Sequence, residues 1–166
     1  MDFYAHTVGI ITNIEYLDTN ADQNTSCTLL LTLEGEHPEG PFQIQFPPSA
    51  YILNLHPFQI GERATFFYDP NAPMVLSYPP RYTAVAGAYT PQGTSAMLDV
   101  FETDLINSDN SLKLNLAWNT PVTLSNGQPF HGTVGGHLLL VYYSMTTRSI
   151  PAQTTPEQVV VFCRKV

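Results

Sequence analysis

The sequence has little of the positive charge that proteins use to bind nucleic acids. Only 6 of its 166 residues are basic, with Lys113 and Lys165 as the lysines, whereas 14 are acidic, so the formal net charge is -8. Lysine and arginine supply most of the affinity for a phosphate backbone, because their binding releases condensed counterions. We therefore expect no appreciable binding of DNA or RNA at physiological salt.

Long apolar runs are also missing. A membrane-spanning helix takes about 18 or more consecutive apolar residues, and no stretch of the sequence has that composition. The segment Met1–His6 has neither the basic part nor the apolar part of an export signal. We therefore expect no membrane span and a cytoplasmic location, or a secreted protein if the chain was trimmed from a longer precursor.

Cysteine is scarce too. Cys27 and Cys163 are too few for a disulfide framework, and each lies in or beside an apolar strand pattern. Free cysteines in such patterns are commonly buried, so we expect both thiols to be buried and structural. The histidines show no i, i+4 pair and no cysteine at the spacing of a zinc site; they are His6, His37, His56, His131 and His137.

Acidic residues close together in sequence are the remaining candidates for a metal site. Asp99, Glu102, Asp104 and Asp109 do not have the spacing of a calcium-binding loop, and no glycine lies at its required turn. A solvated acidic edge is the simpler interpretation. The sequence thus predicts no metal site and no cofactor.

Proline and glycine are abundant where charge is scarce. The chain has 14 prolines and 10 glycines, and only 12% of its residues are charged. Surface helices are usually rich in glutamate, lysine and arginine, so this composition favours a loop-rich β protein with little helix.

Alternating apolar and polar residues predict about five strands in each half of the chain. The predicted strands are Val8–Tyr16, Thr28–Leu33, Phe42–Phe46, Arg63–Tyr68, Tyr82–Ala88, Ala96–Thr103, Leu112–Leu116, Val122–Leu124, Gly135–Ser144 and Val159–Phe162. Asp18–Ser26 is a polar loop, and Ser49–Leu55 is a candidate helical turn behind a Ser49 cap. Asn126-Gly127 predicts a hairpin with a type I′ turn.

Two segments of the first half recur in the second. Gly61–Tyr68 resembles Gly136–Tyr143, and Ser77–Thr83 resembles Ser149–Thr155. Between the halves, Gly87–Ser95 combines proline, glycine and small polar residues, as linkers do. We therefore predict an internal duplication, with residues 1–88 and 89–166 as two domains.

Two details of the recurring segments have structural interpretations. Gly61 and Gly136 stand immediately before the fourth strand of each half, which indicates a positive φ or a backbone approach too close for a side chain. Ser77 and Ser149 each begin a Ser-x-Pro sequence, in which proline fixes φ and the hydroxyl bonds a nearby backbone group. We interpret this sequence as a rigid lead-in to a strand rather than a ligand-gripping loop.

Five short strands in each half are typical of a small closed barrel of the OB type, because closure removes the exposed strand edges that aggregate. The sequence therefore predicts an all-β fold of two tandem five-stranded OB-like barrels. One β-sandwich of about ten strands is the alternative.

The run Gly136–Val161 resembles a known family. Its Tyr142-Tyr143-Ser144 and its Thr147–Thr154 are similar to a small β-barrel repeat of unassigned function that recurs in bacterial proteins, some of them surface or secreted. The first half is less similar, since it has Tyr78-Pro79-Pro80-Arg81 where the second has Ile150-Pro151-Ala152-Gln153. The resemblance implies a fold and supplies no catalytic residues.

Aromatic residues are the candidates for a functional site. On an OB-like barrel, Phe67, Tyr68, Tyr142 and Tyr143 are of the type that stacks on bases or sugars. Because the acidic charge disfavours a nucleic acid, the favoured function is a non-enzymatic module that binds a protein or an uncharged ligand such as a glycan.

A hydrolase is the alternative function. Glu34, Glu36 and Glu39 lie in one predicted hairpin, and paired carboxylates perform glycosidic acid–base chemistry when held at the right separation. No Gly-x-Ser-x-Gly sequence is present. Since no set of catalytic residues converges, we expect no enzymatic activity.

Overall fold

The structure, a computed structural model, describes residues 4–17, 27–36, 40–74 and 76–163. The described residues form two compact units, one within residues 4–92 and one within residues 93–163. The division between them falls inside Gly87–Ser95, the stretch with the composition of a linker. The predicted loop Asp18–Ser26 lies outside the described residues.

Strands dominate the regular structure, and the all-β prediction is confirmed. The strands of the first unit are β1 Ala5–Leu17, β2 Thr28–Gly35, β3 Pro41–Phe46, β4 Tyr51–Ile52, β5 Arg63–Tyr68 and β6 Arg81–Tyr89. Those of the second unit are β7 Ser95–Phe101, β8 Leu112–Leu114, β9 Val122–Leu124, β10 His137–Tyr143, β11 Ala152–Thr154 and β12 Gln158–Phe162. Within the described ranges, the one helical segment is the 3-10 turn Leu53–Leu55.

The first unit is a closed five-stranded barrel. Antiparallel pairs join β1 to β2, β2 to β3, β1 to β5 and β5 to β6. The parallel pairing of β3 with β6 closes the ring. Such a ring of five short strands is a small OB-like barrel, so the predicted fold class is confirmed.

Alternation along the strands places the core of this barrel. On β3, Phe42, Ile44 and Phe46 are buried, whereas Gln43 and Gln45 lie half-buried on the other face. The buried side chains pack with Ile11, Leu31, Leu33, Phe58, Ala64, Phe66 and Ala84 from the other elements. Each fully buried leucine, isoleucine or phenylalanine contributes about 1.5–3 kcal/mol relative to exposure, so this core is the main source of stability.

The strand β1 departs from simple alternation. Its pairing with β2 shifts between Ile11 and Asn13, which marks a β-bulge. Ile11 is fully buried, Ile10 is 39% exposed, and Ile14 packs against the core beyond the bulge. The extra residue therefore brings to one face two isoleucines that a strict period of two would place on opposite faces.

The second unit has the same order of pairing with a reduced second strand. β7 pairs antiparallel with β10, and β10 pairs antiparallel with β12. β8 pairs parallel with β11, and β9 pairs parallel with β12. Isolated bridges from Asn107 to Phe101 and from Ile106 to Lys113 stand in place of a full second strand. The duplication itself stays a prediction.

The core of the second unit is separate in composition from that of the first. It consists of Phe101, Leu112, Leu114, Leu139, Val141, Val159 and Val161. Among the described residues, each sheet contains strands of one unit only. This pairing differs from the alternative of a single ten-stranded sandwich.

The helical turn predicted at Ser49–Leu55 is shorter than expected. Tyr51 and Ile52 form β4 and pair in parallel with Ala86 and Gly87 of β6. The chain therefore enters the turn only at Leu53, and the residue before it, Ile52, makes no side-chain cap. The prediction of a Ser49 cap is wrong, because the short strand β4 lies between Ser49 and the start of the turn.

The predicted hairpin at Asn126-Gly127 is present with a different turn. Thr123 bridges Pro129, and the amide of Leu124 donates to the carbonyl of Gln128. Gly127 has a φ of 89°, but Asn126 does not have a positive φ. A loop with one left-handed glycine therefore replaces the type I′ turn, which needs two such residues.

The two Ser-x-Pro segments make the same hydrogen bond in each unit. Ser77 Oγ donates to the carbonyl of Pro79 at 3.2 Å, and Ser149 Oγ donates to that of Pro151 at 2.8 Å. The peptide bonds before Pro79 and Pro151 are both cis. The predicted role of the hydroxyls, to satisfy nearby backbone groups, is confirmed.

The glycines before the fourth strand of each barrel adopt the left-handed conformation. The φ angles of Gly61 and Gly136 are 93° and 89°. A Cβ at either position would meet no atom within 4 Å, so the close-approach interpretation is excluded. Their amides donate to the carbonyls of Ile11 and Phe101, at 2.8 and 2.7 Å, which ties each glycine to the first strand of its unit.

We expect Gly61→Ala and Gly136→Ala each to lower the free energy of unfolding by about 1 kcal/mol or more, because a side chain is strained at positive φ. Denaturant unfolding followed by circular dichroism measures the change. Gly40→Ala is the control, since its Cβ would meet only the Tyr78 hydroxyl, at 4.0 Å, and its φ is not positive. Unchanged midpoints for both test variants would contradict the backbone role of these glycines.

Candidate functional site

A pocket of about 260 Å³ lies in the first unit, where β5 ends and β6 begins. The strands contribute Gln45, Tyr68, Arg81, Tyr82 and Thr83, and the connection between β5 and β6 contributes Asp69, Ala72, Pro73, Met74 and Ser77. The parallel pairing of β3 with β6 places Gln45 beside Thr83 and so forms one wall. The pocket therefore exists only because the barrel closes.

Tyr68 and Tyr82 form the aromatic part of the pocket. Their rings stack with centroids 4.3 Å apart and planes inclined by 20°. Tyr82 also contacts the buried Phe42 ring, at a centroid distance of 6.4 Å, which anchors the pair to the core. An anchored aromatic pair gives a rigid, flat and largely apolar surface to a ligand.

Arg81 is held on the pocket wall by an amide. Its Nε and Nη2 both donate to Gln43 Oε1, at 3.2 and 3.0 Å. Gln43 Nε2 in turn donates to Thr32 Oγ1 at 3.3 Å, and Thr83 Oγ1 donates to Gln45 Oε1 at 3.1 Å. The linked bonds of Thr32, Gln43 and Arg81 cross β2, β3 and β6 and fix the orientation of the guanidinium group.

Of the four aromatic residues proposed from the sequence as ligand contacts, Tyr68 lines this pocket. Phe67 is 2% exposed and faces the ring of His6, so burial leaves it no surface for a ligand. Tyr142 and Tyr143 lie half-buried on β10 of the second unit. Burial raises the pKa of Tyr143, against the opposing effect of a hydrogen bond with Ser95.

Among the described residues, the carboxylates proposed for a hydrolase, Glu34 and Glu36, do not line the pocket. Asp69 is the single carboxylate among the residues that line the pocket. Glu36 forms an ion pair with Arg63, and Glu39 lies outside the described residues. Glu62 Oε2 lies 2.7 Å from His56 Nε2 and holds that ring in the fold. These contacts give the hydrolase hypothesis no support.

Two acidic residues of the second unit, Asp99 and Asp109, flank a buried asparagine. Asn107 Nδ2 donates to Asp99 Oδ2 at 3.2 Å and to Asp109 Oδ1 at 2.8 Å. A hydrogen bond from the Ser111 side chain holds the pKa of Asp109 below its usual value. In the part of the chain that the structure describes, no group of three or more His, Cys, Asp or Glu side chains is arranged to hold a metal ion.

The prediction of buried thiols is wrong. Cys27 and Cys163 are both free and exposed. Cys27 immediately precedes β2, and Cys163 immediately follows β12. Each therefore lies where the chain leaves its sheet, so the apolar pattern next to it does not continue to the cysteine.

The sequence pattern does not indicate that Gln45, Arg81 and Tyr82 belong to one site. Gln45 and Tyr82 lie in strands that were predicted, but in separate segments of the chain. The parallel pairing of β3 with β6, the third and fifth strands of the barrel, brings these residues together. This pairing can be recognised only once the barrel topology is known.

Comparison of the chain with protein-family models, with curated proteins and with solved structures found no match. The resemblance of Gly136–Val161 to a bacterial barrel repeat therefore stays a prediction. Among the described residues, no helix has the length and apolar character to cross a membrane. A fold alone does not imply a function, so the pocket is the feature of the chain that bears on it.

Proposed function

We propose that the chain is a non-enzymatic binding module and that the pocket of its first unit binds one sugar unit of a glycan. The observation that carries the proposal is the stacked pair Tyr68 and Tyr82, bordered by the polar groups of Gln45, Asp69 and Thr83. A sugar ring has an apolar face that packs on an aromatic ring and hydroxyl groups at its edge. Amide, hydroxyl and carboxylate side chains supply matching donors and acceptors.

The size of the pocket favours a small ligand. Sites for drug-sized molecules are typically about 300–1,000 Å³, whereas this pocket has about 260 Å³. One sugar unit in the pocket, with the rest of a glycan outside it, agrees with that volume.

The position of the pocket supports the same class of ligand by analogy. The connection between β5 and β6 joins the fourth and fifth barrel strands, and OB folds use this connection to bind oligosaccharides and oligonucleotides. The net charge of -8 favours an oligosaccharide over a nucleic acid.

Ligand-observed NMR and titration calorimetry with a panel of mono- and disaccharides test the proposal. We expect Tyr68→Leu, which keeps an apolar side chain but removes the ring, to weaken binding about tenfold. The reason is that an aromatic contact contributes about 0.5–1.5 kcal/mol beyond its buried area.

Tyr16→Leu is the matched control. Tyr16 belongs to the same unit, is 63% exposed and does not line the pocket, so this variant is expected to bind as the original chain does. Equal losses in the two variants, or no binding of any sugar in the panel, would overturn the proposal.

A further inference from the structure

We propose that the sugar unit in this pocket carries a carboxylate and that Arg81 binds it. This inference rests on the proposed function and specifies the charge of the ligand. A neutral ligand was expected from the acidic charge of the whole chain, but the charge that a ligand meets is set locally. Arg81 lines this pocket, is half-buried and directly precedes Tyr82 in the sequence. The ligand therefore meets a guanidinium group here.

Arg81 has no acidic partner in the described part of the chain. Arg63 forms an ion pair with Glu36, whereas no described carboxylate lies within 4.0 Å of the Arg81 guanidinium nitrogens. A partly buried cation has lost some of its hydration, and a neutral amide such as Gln43 compensates only part of that loss. A ligand carboxylate would supply the missing counter-charge.

The hydrogen bonds of Arg81 to Gln43 leave donors of the guanidinium group for such a ligand. Its hydrogen bonds to Gln43 use Nε and Nη2, which form one edge of the planar group. The Nη1–Nη2 edge therefore keeps two parallel N–H donors, the arrangement that binds a carboxylate through two hydrogen bonds. Because Gln43 is itself held by Thr32, the donors are oriented before the ligand arrives.

Asp69 is the opposing charge in the same pocket, and it does not form an ion pair with Arg81. Its Oδ1 accepts a hydrogen bond from the amide of Asn71 at 2.9 Å, and the residue is exposed, so water screens its charge. We therefore assign Asp69 the role of acceptor for a ligand hydroxyl, with the ligand carboxylate on the Arg81 side.

The second unit lacks this arrangement. In the recurring segment, Gln153 stands where the first unit has Arg81, and Thr154 stands where it has Tyr82. Thr154 is buried and donates its hydroxyl hydrogen to the carbonyl of Met145. The cation of the second unit is Lys113, which lies on β8 and pairs with Gln153 of β11. The residue after Lys113 is Leu114, so no tyrosine follows the cation. The second unit thus supplies a control position of the same charge.

Titration calorimetry with three probes tests the charge of the ligand: methyl glucuronide, its methyl ester and methyl glucoside. We expect the acid to bind about tenfold or more tightly than the ester, because hydrogen bonds between two charged groups are stronger than those to a neutral ester. Arg81→Gln is expected to remove this preference, so that the acid and its ester bind with similar affinity. Lys113→Gln removes the same charge from the second unit and is expected to retain the preference.

The outcomes separate this inference from the proposed function. Binding of neutral sugars with no preference for the acid overturns the charge assignment and leaves the glycan site standing. Equal loss of the preference in Arg81→Gln and Lys113→Gln also overturns it, since the effect would then come from net charge. If none of the probes and no sugar of the wider panel binds, the glycan site and the charge assignment are both wrong.

Discussion

Phe66→Ala is expected to lower the free energy of unfolding of the first unit by about 3–5 kcal/mol, the range for removing a buried aromatic ring. The Phe66 side chain is fully buried. Its ring centroid lies 5.1 Å from that of Phe58 and 6.0 Å from that of Phe46. Strand pairing holds Phe46 in β3, and Phe58 is itself buried in the core, so we expect neither to fill the space that the ring leaves.

The packing around Phe66 is tight from the opposite strand as well. Gly87 of β6 is its partner in the strand pairing, and a Cβ there would lie 2.9 Å from atoms of both Phe66 and Phe46. The glycine thus makes room for the rings. This complementarity is the reason for expecting a large effect from one truncation.

Denaturant unfolding measures the effect, with Val85→Ala as the control. Val85 lies on β6 and is 37% exposed, so its truncation is expected to change the free energy of unfolding by about 0.5 kcal/mol or less. If the two variants lose similar stability, Phe66 is not a centre of the barrel core.

Asn107→Ala is expected to lower the free energy of unfolding of the second unit by about 2–4 kcal/mol. Asn107 is 4% exposed, and its Oδ1 accepts hydrogen bonds from the amides of Ser111 and Leu112, at 2.9 and 2.8 Å. Alanine would leave these amides without that acceptor, and each buried unsatisfied donor costs about 1–3 kcal/mol. The carboxylates of Asp99 and Asp109 would also lose the donor between them.

Asn119→Ala makes the same truncation at an exposed position of the second unit and serves as the control. We expect it to leave the unfolding midpoint nearly unchanged. A small loss in Asn107→Ala would mean that water replaces the asparagine in satisfying the two amides. The hydrogen-bond network would then not be essential to the unit.

The strands were the most predictable part of this fold. Arg63–Tyr68 has the same bounds in the sequence prediction and in the structure, and Phe42–Phe46 differs by one residue. Phe42–Phe46 alternates strictly, so its period of two is visible without knowledge of any partner strand, whereas Arg63–Tyr68 is a short run buried from Ala64 to Phe67. Local residue preferences also placed the left-handed Gly61 and Gly136.

Predictions that depended on neighbours in space were less accurate. The apolar pattern near Cys27 and Cys163 suggested buried thiols, but burial depends on whether the sheet continues past the strand end. Ser49 is a good helix cap by residue type, yet pairing of β4 with β6 takes the chain into a strand first. The aromatic pattern also did not separate Phe67, which is buried, from Tyr68, which lines the pocket.

The sequence by itself determined the class of fold, because alternation, turn residues and scarce surface charge are local properties that strands and short connections require. Tertiary structure alone decided which residues share a site. Gln45, Arg81 and Tyr82 meet because β3 and β6 pair in parallel and close the barrel, and that closure depends on the packing of the whole core. The bulge in β1 belongs to the same category, since an extra residue is recognised only against the partner strand that it fails to match.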